Sequence, residues 1–295
     1  MKAYRLKLKM ICFIVAMLLV FKSHGQFIEF GGSLGGTTYQ GDINHLSSRL
    51  SIQGARLLNS IHLGYHFNDF FSLKVRYSHT SISAYDSESI DDWRRSRNLH
   101  FKTSIREYAL ISEIELSDII KKFRKLQLKP FVSVGICLFN FNPKATYKGE
   151  WVDLQPLGTE GQGLPGYEKP YKLQQISIPF GAGLKYYINE KWVFAFEISP
   201  RITFTDYLDD VSGKYPDLDL LRNAKGAISS AMSYRSNLLP GFIPPKEPVT
   251  GFGRGNSKDN DWYIFNSFTI AYKFDPYTWY KKRKSFRYGR KCSFF

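Results

Sequence analysis

From Trp192 to Thr205 apolar and polar side chains alternate. Trp192, Phe194, Phe196, Ile198, Ile202 and Phe204 take every second position, with Glu197, Ser199, Arg201, Thr203 and Thr205 between them. A period of two marks a strand whose two faces meet different surroundings. The apolar face outruns the strand of about 5–6 residues usual in soluble sheets. The other face carries charges that an apolar core rejects unless they are paired. The pattern predicts one face against lipid and the other against a polar interior.

The same alternation recurs along the chain. Asn59 to Phe67 sets Ile61, Leu63, Tyr65 and Phe67 against Ser60, His62, Gly64 and His66. After Asn68-Asp69-Phe70 it resumes with Phe71, Leu73, Val75 and Tyr77 against Ser72, Lys74, Arg76 and Ser78, a tight hairpin. Tyr108, Leu110, Ile114 and Leu116 alternate with Glu107, Ala109, Glu113 and Glu115, and Val132 to Leu138 alternates with Ser133, Gly135 and Cys137. Ile176 to Tyr186 leads through Asn189-Glu190-Lys191 into the Trp192 strand, and Trp262 to Phe274 is the last. A glycine-rich stretch from Gln26 to Tyr39 is the first.

Eight strands follow, and their connections sort by length. Short and moderate joins alternate with long ones at residues 40–54, 83–102, 143–172 and 207–261. Alternate loops of an up-and-down sheet emerge on one side, so the long loops share one end and the short turns share the other with both termini. That asymmetry and the even count predict an all-β, eight-stranded antiparallel up-and-down transmembrane β-barrel with long external loops. Closure removes the sheet edges that hydrocarbon does not tolerate. A secreted soluble barrel or sandwich with the faces inverted shows the same alternation; loop asymmetry, strand length and the glycine-rich polar face favour the membrane form. Residues 217–234 have the composition of a short helix inside the last long loop.

The chain of 295 residues is 43% hydrophobic and 16% aromatic, which does not by itself decide the class. The N-terminus narrows it. Lys2, Arg5, Lys7 and Lys9 precede the apolar run Met10 to Phe21 and then Ser23-His24-Gly25, the order of a cleaved secretory signal over residues 1–25. The run falls short of the roughly 20 residues of a spanning helix, and the residues ahead of Cys12 do not suit a lipoprotein anchor. Cys137 and Cys292 then remain, too few for a disulfide framework. The expected organisation is a signal at 1–25, a barrel at 26–274 and a basic tail at 275–295, whose Lys281 to Lys291 run suits lipid headgroups or an acidic partner. No nucleic-acid partner is expected of an exported chain.

On the inward face the pattern places Lys74, Arg76, Glu107, Glu113, Glu115, Lys185, Glu197 and Arg201. A barrel of about eight strands is only wide enough to be filled by side chains, so these charges are expected to form a hydrogen-bonded plug rather than line a channel. His62 and His66 share a face but stand roughly 13 Å apart along a strand, too far for one metal ion without other strands. Asp206, Asp209, Asp210, Asp217 and Asp219 match no EF-hand spacing, which favours a solvated acidic loop over a calcium site. No cofactor is expected, and no hydrolase, zinc-protease or P-loop motif occurs. His79 and Ser81 near a strand end are the nearest candidates for rim catalysis on lipid.

Several segments together resemble a family of Bacteroidota outer-membrane barrels that includes the PorG-like component of the type IX secretion system. They are F-N-P-K-A from Phe141, L-x-P-L-x-T-E-G-Q-G from Leu154, I-P-F-G-A-G-L-K-Y from Ile178, T-F-T-D-Y-L-D-D-V-S from Thr203, R-G-N-S-K-D-N-D-W-Y from Arg254, and the earlier Tyr39 to Asp42. The resemblance runs from Gln26 to Phe274 and does not extend to the basic tail. It implies an outer-membrane location with external long loops and periplasmic termini. It also implies association with outer-membrane lipid and periplasmic ring proteins, in support of cargo export and gliding. Within these motifs Asn142, Pro143, Lys144, Thr159, Glu160, Gly161, Gln162, Gly163, Asp206, Asp209, Asp210, Arg254 and Asp261 are candidates for a loop cap or partner surface, with Arg254 or Lys144 pairing with the aspartates. The function expected is a noncatalytic scaffold of that machinery. The alternatives are a lipid-modifying barrel enzyme and a general surface-binding barrel.

Overall fold

Eight long antiparallel strands close on themselves in chain order. The computed structural model describes residues 27–43, 54–116, 128–239 and 250–275; the expected signal and nearly all of the basic tail lie outside them. The barrel strands are β1 (Phe27–Gln40), β2 (Arg56–His66), β3 (Phe71–Tyr85), β4 (His100–Glu115), β5 (Leu128–Tyr147), β7 (Gln174–Tyr187), β8 (Trp192–Thr203) and β9 (Trp262–Phe274). A short β6 (Glu150–Asp153) folds back on the end of β5. Each barrel strand pairs with its chain neighbour, and β9 closes onto β1 from Ile28 opposite Phe274 to Gln40 opposite Trp262.

The faces point as the alternation requires. Phe194, Ile178 and Leu184 are 45%, 37% and 42% exposed, whereas Glu197 and Arg201 are 2% and 0% exposed. Phe30, Leu34, Leu63, Val75, Leu110, Val134, Ile136 and Phe268 continue the apolar belt around the outer wall. Left in water, roughly two dozen such side chains at about 1 kcal/mol each would forgo more than the ~5–15 kcal/mol that holds a domain folded. The belt meets lipid, and the soluble, inverted barrel is thereby excluded.

At the β1–β9 seam the backbones approach so closely that a Cβ on Gly35 would overlap the Asn266 carbonyl. Glycine is required there for closure. Gly35→Val is therefore expected to cost at least ~1–3 kcal/mol of overpacking and to reduce the yield of heat-modifiable folded barrel after refolding into detergent. A yield equal to the parent chain would show that the seam yields elsewhere.

Two features depart from the sequence expectation. The strands run further outward than alternation showed: β5 continues to Tyr147, so Asn142, Pro143 and Lys144 lie on a strand and its hairpin with β6 rather than in a loop. The interior is also not polar throughout. Its cap-side half is filled by Phe101, Ile105, Phe139, Phe141, Tyr263 and Phe265, onto which Ile43, Leu208 and Val211 fold from the loops. Near the mouth both strand faces are apolar, because the loops bring a small core of their own, and this erases the period of two. The helical reading of 217–234 holds, as α2 (Leu218–Lys225) and α3 (Ala227–Ser233); α1 (Asp92–Arg97) precedes β4.

Candidate functional site: a loop cap over a charged lumen

All eight inward charges predicted from the sequence are buried and paired. Lys74 reaches both Glu29 and Glu113 at 2.9 Å. Glu113 is also bonded by Lys185, while Glu115 takes Tyr187 and, at 3.0 Å, Lys129. Arg76 pairs with Glu197 at 2.9 Å, and Ser133 Oγ donates to the other Glu197 oxygen at 2.8 Å. Above them Arg201 makes a two-pronged contact with Glu107, at 3.2 and 3.1 Å, and Tyr263 donates to the same carboxylate at 2.9 Å. His62 and His66 do not meet directly; Glu29 of the adjacent strand bridges their Nε2 atoms at 2.9 and 3.1 Å. Glu29 is not among the charges read from the sequence because the glycines of its strand blur the alternation, although it shares the inward face with Gly31 and Ser33. A space of about 10 Å³ lies beside the unbonded Arg76 Nε and His62 Nδ1, room for about one water. The lumen is plugged.

Over the aromatic layer the long loops lock into one network. Arg254, 2% exposed, donates to Glu160 at 3.0 Å and to the carbonyls of Asp210 (2.6 Å) and Ser233 (3.3 Å). Glu160 also accepts from the backbone of Ser212 and Gly213, and Gln162 Oε1 accepts from Glu160 N at 3.0 Å. Asp210 takes the hydroxyls of Thr159 and Tyr171. Gly161 and Gly163 stand at φ +85° and +88°, which lets the T-E-G-Q-G turn bend tightly enough to present Thr159 and Glu160 together. Tyr39 from β1 donates to both Asp209 (2.6 Å) and Asp261 (3.0 Å), whose other contacts are the backbone N–H groups of Ile43, Val211 and Leu208. Arg97 of α1, in a bidentate pair with Asp86 at 2.7 Å, donates to the carbonyls of Arg254 and Asp42 and ties the remaining loop in.

The structure thus gathers Thr159, Glu160, Gly161, Gln162, Gly163, Asp209, Asp210, Arg254 and Asp261 into the cap, with Asp206 buried beside them. It separates Asn142 and Lys144, which bind Asp153 of β6 at 3.1 and 2.8 Å on the outer wall. Lys144 does not answer the loop aspartates, because its strand face points away from the mouth. Pro143 contributes its carbonyl to Leu154 N. Asp217 caps α2 through Leu220 N and Asp219 pairs with Arg222, so the five aspartates do not converge. Among the described residues no group of three His, Cys, Asp or Glu is arranged to hold a metal ion. His79 faces Ser104 at 3.3 Å on the outer wall, and Ser81 is not its partner. Asp86, Arg97 and Tyr39 were missed, since nothing local marks long-range partners.

Burial, reinforced by neighbouring carboxylates, raises the loop acids. Asp206 is pushed up to about 8 by burial and the charges of Asp42, Asp209 and Glu160. Asp209 rises to about 7 through burial and Asp42, against the Tyr39 bond. Asp210 rises to about 6 through burial, against Arg254, Thr159 and Tyr171. Each acid therefore holds its proton more tightly in the folded cap than in the unfolded chain. The stability this confers is complete below the ordinary carboxylate range and is lost as pH rises through about 6 to 8. Hydrogen-exchange protection of the cap amides, corrected for intrinsic rates, is expected to be about tenfold or more lower at about pH 8.5 than at about pH 5.5. Equal protection would place the protons elsewhere.

A family model described as "Domain of unknown function (DUF6089)" matches residues 8–234. The chain belongs to the DUF6089 family. The match stops before β9, yet β9 pairs with both β8 and β1, so the folded unit of this DUF6089 chain reaches Phe274. No curated protein sequence matches it. Solved structures similar to it include Neisserial surface protein A, at 8% identity and TM-score 0.39 over 84% of this chain and 97% of that one. Pseudomonas aeruginosa OprG has 9% identity and TM-score 0.37 over 85% and 96%. Yersinia pestis Ail, solved with the heparin analogue sucrose octasulfate, has 9% identity and TM-score 0.36 over 84% and 97%.

Proposed function

We propose that this DUF6089 protein is a noncatalytic outer-membrane barrel that serves as an anchor, and that the machinery it anchors is the type IX secretion apparatus. The observation that carries the anchor reading is the filled interior: paired charges below, aromatic side chains above and a hydrogen-bonded cap over both leave no path for solute among the described residues. A barrel that conducts nothing and holds its loops in one arrangement is suited to presenting a fixed surface. The secretion role is supported by the ordered motifs from Phe141 to Tyr263 that resemble the PorG-like family. In this reading the loops are external, the termini and short turns are periplasmic, and ring proteins dock on the periplasmic side through ion pairs that salt weakens.

Deleting the gene tests the assignment: loss of type IX cargo from the medium is expected, and unchanged export rejects the secretion role while leaving the anchor. A pull-down from gently solubilised outer membranes, repeated after deletion of residues 281–295, tests whether the basic tail carries the docking. Co-purification of ring proteins that persists at low salt without the tail moves the contact to the turns.

A further inference from the structure

The outward face of β3, β4 and β5 changes character just above the apolar belt. Tyr77 and Tyr108 lie side by side on it, 5.0 Å between ring centres. Two residues further toward the cap, roughly 7 Å along the strand, His79 stands opposite Arg106. Beyond them Lys102 stands directly opposite Lys144. Arg106, Lys102 and His79 are exposed on this wall. A like-charged cross-strand pair is destabilising unless an anion answers it. Asp153 answers Lys144 at 2.8 Å, but Lys102 has only the Trp151 ring, at 5.9 Å, and Arg106 has no carboxylate partner among the described residues. The outward positions at the same ends of β7, β8 and β9, such as Gln174, Ile176, Ile202 and Trp262, carry no cation. The missing anion therefore belongs to one side of the barrel.

We propose that this wall seats the phosphorylated headgroup of a lipid in the cap-side leaflet, with Arg106 and Lys102 holding phosphate and the acyl chains lying on Val75, Leu110 and Ile136. The proposal rests on the lipid-facing belt and is independent of any secretion role. Continuity decides the occupant: a phosphate at Arg106 sits one headgroup above a surface already covered by acyl chains. Arg106 offers paired N–H donors matched to phosphate oxygens, and Ser104, between the two cations, offers a neutral hydroxyl.

Native mass spectrometry of the full chain in detergent tests it, with a bisphosphorylated diglucosamine lipid and its dephosphorylated counterpart as probes. The phosphorylated lipid should be retained and the other not. Arg106→Gln and Lys102→Gln should each lower retention about fivefold. Lys191→Gln, the same charge change in the β7–β8 turn at the opposite end, should leave it unchanged. Heat-modifiable migration on gels establishes that each variant is folded. Equal retention of both lipids, equal loss with Lys191→Gln, or no loss with Arg106→Gln overturns the proposal. So does complete displacement by excess inorganic phosphate, which would make the patch a site for free anions.

Discussion

Arg254→Ala is expected to release the cap and leave the barrel standing. Its guanidinium is buried and holds Glu160 directly and Asp210 through its carbonyl, so removal strands a buried carboxylate without its cation. Breaking a buried pair from one side costs about 3–5 kcal/mol, and the barrel ladders do not depend on it. Hydrogen exchange should speed up by two orders of magnitude or more in 154–173 and 204–239, with strand amides unaffected. Arg254→Lys keeps the charge but not the fork that reaches Glu160 and two carbonyls at once, so partial protection is expected. Protection unchanged in Arg254→Ala would mean that Tyr39, through Asp209 and Asp261, suffices to hold the loops.

The arrangement also explains which parts were legible in the chain. Alternation marks seven of the eight barrel strands, and the first is read from its glycines, because a wall with lipid outside and ion pairs inside imposes opposite demands on adjacent residues. Lys74, Glu113, Lys185 and Arg201 were legible for the same reason. The pattern failed where that demand lapses. Around Phe139 and Phe141 the interior is as apolar as the exterior, and at Asn142 and Lys144 the outward face is as polar as a loop, so strand ends went unseen. The cap residues come from the motifs on which the family resemblance rests. Their partners were not legible: Arg97 with the carbonyls of Arg254 and Asp42, and Tyr39 with Asp209 and Asp261, join segments far apart in the chain.

The charged plug and the aromatic layer meet at Arg201, which makes that residue the most informative test of the lumen. It is fully buried, clamps Glu107 with two nitrogens and lies over the Phe265 ring, 3.5 Å from its centre. Arg201→Met leaves Glu107 with the Tyr263 hydroxyl as its remaining strong donor and is expected to cost about 3–5 kcal/mol. The measurement is urea unfolding in detergent, followed by the loss of heat-modifiable migration. Replacing both members, Arg201→Met with Glu107→Leu, removes the stranded charge and extends the apolar layer formed by Phe139, Tyr263 and Phe265 downward. The double variant should recover most of the loss, because a buried pair often contributes little over a well-packed apolar equivalent. Recovery would show that the plug tolerates either chemistry and that filling the bore is what matters. A double variant as weak as the single one would mean that Arg201 also holds Ser199 and Glu197 in register, so that the ionic network acts as one unit from Glu107 to Glu29.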